Sequence, residues 1–265
     1  MRSRRIATLL YHDLVESGRE DASGFSGGAA GLYKLTAQAF AEHLAALQAT
    51  GLGPPELALG TASAAGSGWM LHFDDGGASA LEMIAPRLEA LGWRGHFFIP
   101  LQYVGADGFL GQDGVRELRR RGHVVGSHSW SHPERISALP YEQIVREWKT
   151  SREALEAMLG EPVSVASVPG GFYSRLVARA AAEAGVRLLF NSEPALWPRQ
   201  VAGIEVRGRF NVNRRTRPAT AAGLARGRFH LRASQYLLWN AKKAAKNVVG
   251  PLYRSVRETV LGRRI

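Results

Sequence analysis

The sequence predicts an α/β domain in which helices cover a mostly parallel sheet. Two observations predict it. Short apolar runs alternate with amphipathic segments over residues 6–192, and this alternation is typical of β/α units. Polar or glycine-rich residues also follow five of the predicted strands directly. Because active sites in such folds lie at the carboxyl ends of the strands, these residues predict one shared site.

The first half of the chain is expected to supply three strands and two helices. The strands are mostly apolar runs of five or six residues, at 6–11, 69–73 and 95–100. The first helix, "LTAQAFAEHLAALQATG", has Thr36 as its N-cap and Gly51 just past its end. The second, "SALEMIAPRLEALG", is stopped by Gly92, and Pro86 predicts a kink within it.

The second half repeats the alternation. We expect three helices and three strands, which in chain order are "GVRELRRRG", "HVVGSHS", "LPYEQIVREWKTSREALEAMLG", "VSVASVP", "SRLVARAAAEAG" and "VRLLFNS". The residues that follow the five strands with polar or glycine-rich ends are His12-Asp13, Asp74-Asp75, His128, Pro169-Gly170-Gly171 and Asn191-Ser192.

Positive charge is concentrated in the last quarter of the chain. Residues 201–265 contain 15 Lys and Arg against two acidic residues, a net charge of +13, whereas residues 1–200 contain 19 against 21. We therefore divide the chain into a domain at 1–215 and a basic helical tail at 216–265. Such a patch suits an anionic partner.

Two interpretations of the tail stay open. Its first helix carries an apolar side beside a lysine cluster; these residues are Leu231, Tyr236, Leu238 and Trp239, with Lys242, Lys243 and Lys246. One interpretation is a helix that packs on the domain and exposes a solvated basic face. The other is a segment that binds an anionic membrane surface.

Composition and the first residues bound the remaining possibilities. The chain has no cysteine, which excludes disulfides, thiolate metal ligands and a cysteine nucleophile. The apolar run Ile6–Leu10 is too short for the core of a signal peptide, so we interpret it as a strand. We expect the protein to be cytoplasmic. In the second interpretation of the tail, residues 216–265 would contact the inner face of the membrane.

The stretch "WMLHFDDGG" ends a predicted strand in two adjacent carboxylates and two glycines. Successive residues at a strand end point in different directions, so one of the two aspartates can bind a metal while its neighbour faces a reacting water. His128 and His132, four residues apart, can face the same ion. The alternatives are a plain turn at the aspartates and ordinary surface histidines.

Three ordered motifs resemble those of the polysaccharide deacetylases of the NodB-homology type, carbohydrate esterase family 4. They are Phe73-Asp74-Asp75-Gly76, His128-Ser129-x-x-His132-Pro133 and Val168-Pro169-Gly170-Gly171. The stretch "LLYHDL" is also similar to the first strand of many members, and the resemblance covers residues 5–215. It implies a distorted (β/α)7 TIM-like barrel, here with the basic helical tail as a C-terminal extension.

The resemblance also implies roles for individual residues. Asp74 would be the general base, and Asp75, His128 and His132 would bind one divalent metal, with zinc as the expected ion. The backbone N–H of Gly170 would help to hold the oxyanion. The residues expected to line the substrate groove are Pro169, Gly170, Tyr173 and Trp130; Trp130 would stack on a sugar or cover the metal.

Two departures from the family pattern affect the chemistry. Ser167 stands where the family usually has an arginine that pairs with the base, so we expect Asp74 to lack that partner and its pKa to be higher. The late Leu-x-His motif, which supplies a general acid, is missing. We propose His12 as the acid, because it ends the first strand; a structural role for His12 is the alternative. His72 is expected to be a hydrogen-bonded core histidine.

The predicted function is metal-dependent removal of an N-acetyl group from an amino sugar of a polysaccharide or lipid-linked glycan. One alternative is a deformylase of a lipid-linked amino sugar, which uses the same chemistry on a smaller acyl group. Another is a non-catalytic member of the family that binds glycan. Nucleic acid is a disfavoured partner, because no recognised reader motif accompanies the basic charge.

Overall fold

The computed structural model describes residues 5–57 and 67–241, in which nine strands form one sheet and two more form a separate pair. In chain order the strands are β1 (Arg5–Tyr11), β2 (Leu14–Val15), β3 (Leu35–Thr36), β4 (Ser67–Phe73), β5 (His96–Ile99), β6 (Val124–Ser127), β7 (Val165–Ser167), β8 (Leu188–Phe190), β9 (Arg199–Val201), β10 (Ile204–Arg207) and β11 (Phe210–Asn211).

The large sheet has the order β11-β1-β4-β5-β6-β7-β8-β10-β9. All its neighbours are parallel except β9 and β10. The predicted α/β class is confirmed, and the curled sheet is consistent with the predicted (β/α)7 barrel. Because the strands are parallel, the residues that follow β1, β4, β6 and β7 meet at one edge.

Helices connect the strands much as the pattern predicts. They are α1 (Gly28–Gly31), α2 (Ala37–Gln48), α3 (Ala85–Glu89), α4 (Gln112–Arg120), α5 (Tyr141–Leu159), α6 (Arg175–Glu183) and α7 (Pro218–Ala225). A further helix occupies residues 229–241 and is called the tail helix below. None of the described helices is both long and apolar enough to span a bilayer.

Local sequence signals set several helix ends. The hydroxyl of Thr36 accepts a hydrogen bond from Ala39 N, so the predicted cap of α2 is confirmed. Gly160 ends α5 in the left-handed conformation, which glycine adopts without steric cost. The predicted irregularity at Pro86 is a π-helical turn, Ala80–Ile84, that runs directly into α3.

The core lies on both faces of the central strands. Leu71 and Phe97 are almost fully buried on one face, and their chain neighbours Met70 and Phe98 are buried on the other, as expected for parallel strands covered by helices. Trp148, on the covering helix α5, is also fully buried. This covering fixes the strand ends that carry the polar residues.

The helix α7 belongs to the domain and not to a separate tail. Ala221 and Leu224 have no exposed surface and join the main hydrophobic cluster with Phe40 of α2. The division at residue 215 therefore cuts in front of a core helix. Lys242, Lys243 and Lys246 lie outside the described residues.

Candidate active site

The two adjacent aspartates lie where β4 ends. Asp74 continues the strand ladder, because its N–H donates to the carbonyl oxygen of Tyr11 at 3.2 Å. Asp75 has a φ of 75°, a left-handed conformation that few residues other than glycine adopt. Gly76 follows with a φ of 61° against Ile99 and leads the chain out of the sheet. Both carboxylates approach Nε2 of His128, that of Asp74 to 3.7 Å and that of Asp75 to 3.4 Å.

Asp75, His128 and His132 place one ligand atom each within 4.8 Å of one another. Asp75 Oδ1 lies 3.4 Å from His128 Nε2 and 3.5 Å from His132 Nε2. Ligands about 2.05 Å from a tetrahedral zinc ion stand about 3.3 Å apart. Two imidazole nitrogens and one carboxylate oxygen at these separations fit a divalent cation, so the residues present match the metal that the family implies.

The pKa values of Asp75 and His132 also suit ligands, whereas that of His128 is shifted towards the protonated form. Burial would raise the pKa of Asp75, but the adjacent histidines hold it well below its usual range. Burial, together with His128, lowers the pKa of His132 to about 4. Burial opposes the charging of His128, but the two aspartates outweigh it and raise its pKa. Asp75 is therefore ionised and His132 neutral at pH 7, as metal binding requires.

The two histidines sit on a loop and not on a helical turn. Ser129 and His132 both have positive φ values, 66° and 51°. The backbone is held by serine hydroxyls: Ser129 N donates to Ser127 Oγ at 3.1 Å, and His132 N donates to Ser129 Oγ at 3.1 Å. The four-residue spacing predicted the shared ion, whereas the serines between the histidines form the loop that permits it.

Glu147 of α5 fixes the middle of this loop. Its Oε2 accepts hydrogen bonds from the N–H groups of Trp130 and Ser131 at 3.0 and 2.9 Å, and its Oε1 accepts from Ser131 Oγ at 2.7 Å. One carboxylate thus satisfies three donors between the two metal ligands. Glu147 positions the loop without belonging to the ligand set.

Asp74 has a cationic partner, contrary to the prediction made from Ser167. Nη1 and Nη2 of Arg209 donate to Oδ1 and Oδ2 of Asp74 at 2.7 and 2.8 Å, and Nε donates to the carbonyl oxygen of Asn191 at 3.0 Å. Burial would raise the pKa of Asp74, but Arg209 and His128 lower it below its ordinary value. The expected upward shift was wrong, because the cation comes from a different part of the chain.

Arg209 was missed because no motif marks it. It lies between β10 and β11 in "RGRFNV", among several other arginines, and its side chain has no exposed surface. A short arginine-containing connection between two strand-like runs was the available signal. Only the three-dimensional fold brings residue 209 to the end of β4.

Ser167 has a role of its own in the site. Its hydroxyl donates to Asp74 Oδ1 at 3.2 Å and lies 2.6 Å from His128 Nδ1, while its carbonyl oxygen lies 3.1 Å from the same nitrogen. Because a carbonyl can only accept, Nδ1 carries the hydrogen, and Nε2 is left free to bind a cation. Ser167 therefore links Asp74 to His128.

His12 lies in the same site as the two aspartates. Its charged neighbours include Asp75, Asp74 and Arg209, and its ring packs against Tyr33 at 4.9 Å between centroids. Within the described residues, its buried Nδ1 has no hydrogen-bond partner. Burial lowers the pKa of His12, so the ring is neutral at pH 7. Its position supports the proposed role as an acid, whereas its protonation state does not.

The groove residues occupy different surroundings. Pro169 is buried, Gly170 is exposed with a φ of 60°, and Tyr173 packs against a second hydrophobic cluster on the α6 side. Trp130 instead lines a crevice between α4 and α5 with Leu101. Its location differs from the predicted one in the groove, because the left-handed Ser129 and the Glu147 contact turn it towards α5.

His72 is buried but not hydrogen-bonded. Within the described part of the chain, neither ring nitrogen has a hydrogen-bond partner. Its ring contacts the rings of His96 and Phe190, with centroids 4.4 and 4.3 Å away, and burial lowers its pKa well below the ordinary value. The prediction of a satisfied core histidine was wrong, since aromatic packing replaces hydrogen bonding there.

Comparison with known proteins agrees with the geometry. The family model described as polysaccharide deacetylase matches residues 62–189, which include both metal-ligand motifs. The resemblance to the polysaccharide deacetylase family is confirmed. One relative, YxkH of Bacillus subtilis (strain 168), is named as a polysaccharide deacetylase and is 24% identical over 125 residues. The match covers 47% of this chain and 44% of that relative, so less than half of either chain is compared.

Three solved structures share the fold, and two of them are named as deacetylases. Streptococcus pyogenes deacetylase PplD has a TM-score of 0.64 and 17% identity, covering 82% of this chain and 96% of its own. IcaB from Ammonifex degensii has a TM-score of 0.67 and 21% identity, covering 84% and 98%. BC0361, a polysaccharide deacetylase from Bacillus cereus, has a TM-score of 0.69 and 17% identity, covering 84% and 69%.

Proposed function

We propose that the protein is a metal-dependent hydrolase that removes an N-acetyl group from an amino sugar of a polysaccharide or lipid-linked glycan. One observation carries the proposal: the Asp75, His128 and His132 set lies beside a second carboxylate, Asp74, that is held by Arg209. A site that only bound glycan would not need a buried, ionised carboxylate next to the ligand set. For the same reason we disfavour the non-catalytic alternative.

The chain's own groups account for most of the chemistry. A divalent ion held by Asp75, His128 and His132 would polarise the acyl carbonyl and lower the pKa of water. Asp74 Oδ2, 3.7 Å from His128 Nε2, faces that position and would accept the proton of the attacking water. The Gly170 N–H would donate to the oxygen that becomes negative as the carbonyl carbon turns tetrahedral.

Completing the reaction requires a proton on the departing nitrogen. The C–N bond breaks as that nitrogen is protonated, and the products are acetate and a free sugar amine. His12 is the proposed donor, because it faces both aspartates. His12→Gln should then lower turnover while leaving metal content unchanged. Undiminished turnover would return His12 to a structural role and leave Asp74 to deliver the proton.

Zinc is the proposed ion, since neutral imidazole and carboxylate ligands with open positions suit it. The test is elemental analysis of purified protein against the double variant His128→Ala/His132→Ala. His230→Ala is the matched control, because His230 is exposed on the tail helix. The wild-type protein and the control should carry about one divalent ion per chain, and the double variant none. A fully loaded double variant would refute the ligand assignment.

The acyl group is the point on which the two enzymatic candidates differ. A deformylase would use the same residues on a smaller acyl group. N-acetyl and N-formyl amino sugars, free and lipid-linked, should be compared for release of acetate or formate. Preferential acetate release supports the deacetylase; formate release alone supports the deformylase.

The division into domains and the location of the protein are proposals too. We propose that the catalytic part comprises the barrel, now including α7, and that the protein works on the cytoplasmic side, with the segment after α7 as a basic extension. Nucleic acid remains a disfavoured partner. Retention on immobilised DNA compared with anionic vesicles, across a salt series, tests that preference.

A further inference from the structure

The tail helix runs along the first edge of the sheet towards the active site. It begins near Arg5, since a Cβ added at the preceding Gly227 would lie 3.8 Å from the Arg5 guanidinium. Eight residues later, Gln235 Nε2 donates to the carbonyl oxygen of Asn211 at 3.0 Å. Asn211 is in register with Leu10, near the carboxyl end of β1. The helix therefore travels from the amino end of β1 to the end that carries His12.

Two side chains hold the first part of this helix against the domain. Leu231 packs so closely on α7 that a Cβ at Gly223 would lie 2.4 Å from its Cδ1, and Gln235 makes the contact with Asn211. Leu231 and Gln235 are four residues apart and thus share one face of the helix. That face is the inner one.

Beyond Gln235 the helix presents apolar side chains to solvent. Tyr236, Leu237 and Leu238 are 48%, 67% and 59% exposed. Successive helical residues point about 100° apart, so three exposed neighbours cover more than half of the circumference. Phe229, 76% exposed, shares the outer face with Tyr236, seven residues on. We call Phe229, Tyr236, Leu237 and Leu238 the outer apolar face.

Basic residues surround this face in the sequence. Residues 226–265 contain ten Lys and Arg against a single acidic residue, Glu258. A second copy of the chain would bring like charges together, which disfavours self-association through this face. The outer apolar face and the positive charge around it together suit a partner with an apolar interior and a negatively charged surface. An anionic lipid bilayer has that character.

We propose that the outer apolar face docks on an anionic bilayer, with the neighbouring basic residues on the lipid headgroups. Tyr236, Leu237 and Leu238 directly follow Gln235, which contacts Asn211 near the carboxyl end of β1. Docking therefore takes place beside the candidate active site and not at the opposite end of the strands. This deepens the proposed function and rests on it: the favoured substrate class is an amino sugar attached to a lipid, presented at the membrane surface.

The test compares sedimentation of the full chain with vesicles of phosphatidylcholine alone and of phosphatidylcholine with phosphatidylglycerol. The variant is Leu237→Glu/Leu238→Glu, and the matched control is Leu176→Glu, which alters a 40% exposed leucine on α6. The affinity of such a helix for a bilayer scales with the apolar area it buries, so the double variant should bind anionic vesicles at least tenfold more weakly. The control should bind like the wild-type chain, and salt should weaken binding.

Several outcomes would overturn the docking proposal. They are equal binding by the double variant, equal binding to neutral and anionic vesicles, and no binding by the wild-type chain at low salt. A dimer that the double variant abolishes would assign the face to a second copy instead. Hydrolysis of a small soluble acetamido sugar is measured on the same samples. Lost vesicle binding with intact hydrolysis separates this proposal from the proposed function, which fails only if hydrolysis is absent from the wild-type protein.

Discussion

Two buried aspartates follow neighbouring strands of this protein and differ in the charge of the groups that hydrogen-bond to them. Asp74, after β4, receives two hydrogen bonds from the Arg209 guanidinium and one from Ser167. Asp13, after β1, receives only neutral donors: the hydroxyls of Ser23 and Ser79 both donate to its Oδ1 at 2.8 Å. In the described structure, Oδ2 of Asp13 has no hydrogen-bond partner.

The contrast shows what a buried cation does for a carboxylate. Burial raises the pKa of both groups, but Arg209 and His128 reverse the effect at Asp74, whereas the pKa of Asp13 rises to about 6. Asp75, which opposes ionisation of Asp13, and Lys34, which favours it, are the charged groups that act on Asp13. Burial with neutral donors therefore favours the protonated form of Asp13, and burial with a guanidinium keeps Asp74 ionised, as the proposed base must be.

The largest expected effect comes from removing the charge of Asp74. Asp74→Asn should lower turnover by about 10²–10⁴, which is the usual effect of losing a general base, while the metal ligands stay in place. Steady-state rates and metal content on the same folded samples check this. Asp13→Asn is the control and should keep its activity. Near-normal turnover by the loaded Asp74→Asn protein would show that the base lies elsewhere.

Removing the cation should make Asp74 costly to bury. Arg209→Met leaves a buried, unpaired carboxylate, so the free energy of unfolding should fall by about 3–5 kcal/mol. Arg209→Lys keeps the charge but loses the bidentate geometry, so its free energy of unfolding should lie between those of the wild type and Arg209→Met.

A double variant tests whether this loss belongs to the ion pair. Arg209→Met/Asp74→Asn removes both charges, so urea denaturation should show most of the stability regained. If the double variant is as unstable as the sum of the two single variants, the pair is not coupled and Arg209 acts through packing alone.

A smaller effect is expected at Ser167. Ser167→Ala keeps the Arg209 ion pair and the carbonyl that accepts from His128, but removes the hydroxyl between Asp74 and His128. Loss of such supporting contacts typically weakens metal binding 10–100-fold, and we expect about tenfold. Competition with a chelator measures it, and Ser164→Ala, at an exposed position three residues earlier, is the control. Equal affinities would remove Ser167 from the supporting contacts.

A separate effect, on stability and not on catalysis, concerns the dependence of stability on pH. Since folding raises the pKa of Asp13 from 3.8 to about 6, the folded state favours the protonated form, and stability is lost as pH rises through this window. Asp13→Asn abolishes that loss. Relative to wild type, it should gain up to about 3 kcal/mol between pH 4 and pH 7, measured by denaturation at several pH values. Parallel stability curves would contradict the raised pKa.

The sequence predicted those features that follow from local pattern. Thr36 caps a helix because of its own hydroxyl, and the aspartates end a strand because they follow an apolar run. The ligand set Asp75, His128 and His132 came together as predicted, because parallel strands share an edge. The partner of Asp74 could not be predicted in this way, since Arg209 is 135 residues away in the chain.

Side-chain direction was the other feature beyond the reach of pattern. The outward turn of Trp130 depends on a left-handed Ser129, and nothing in the residue type of serine requires positive φ. The absence of hydrogen bonds at His72 depends on which rings pack around it. Both need the assembled fold.

The position of Arg209 has a consequence for the order in which the molecule is built. It belongs to the short connection through which the chain passes from β10, near one edge of the sheet, to β11 at the other. A chain is synthesised from its amino terminus, so both aspartates and both histidines leave the ribosome before Arg209 does. A ribosome-bound chain that ends near residue 200 would contain Asp74 but not the cation that pairs with it. The last strand pairs with β1, and the connection that leads into it carries the guanidinium, so we expect the sheet and the ion pair to be completed together.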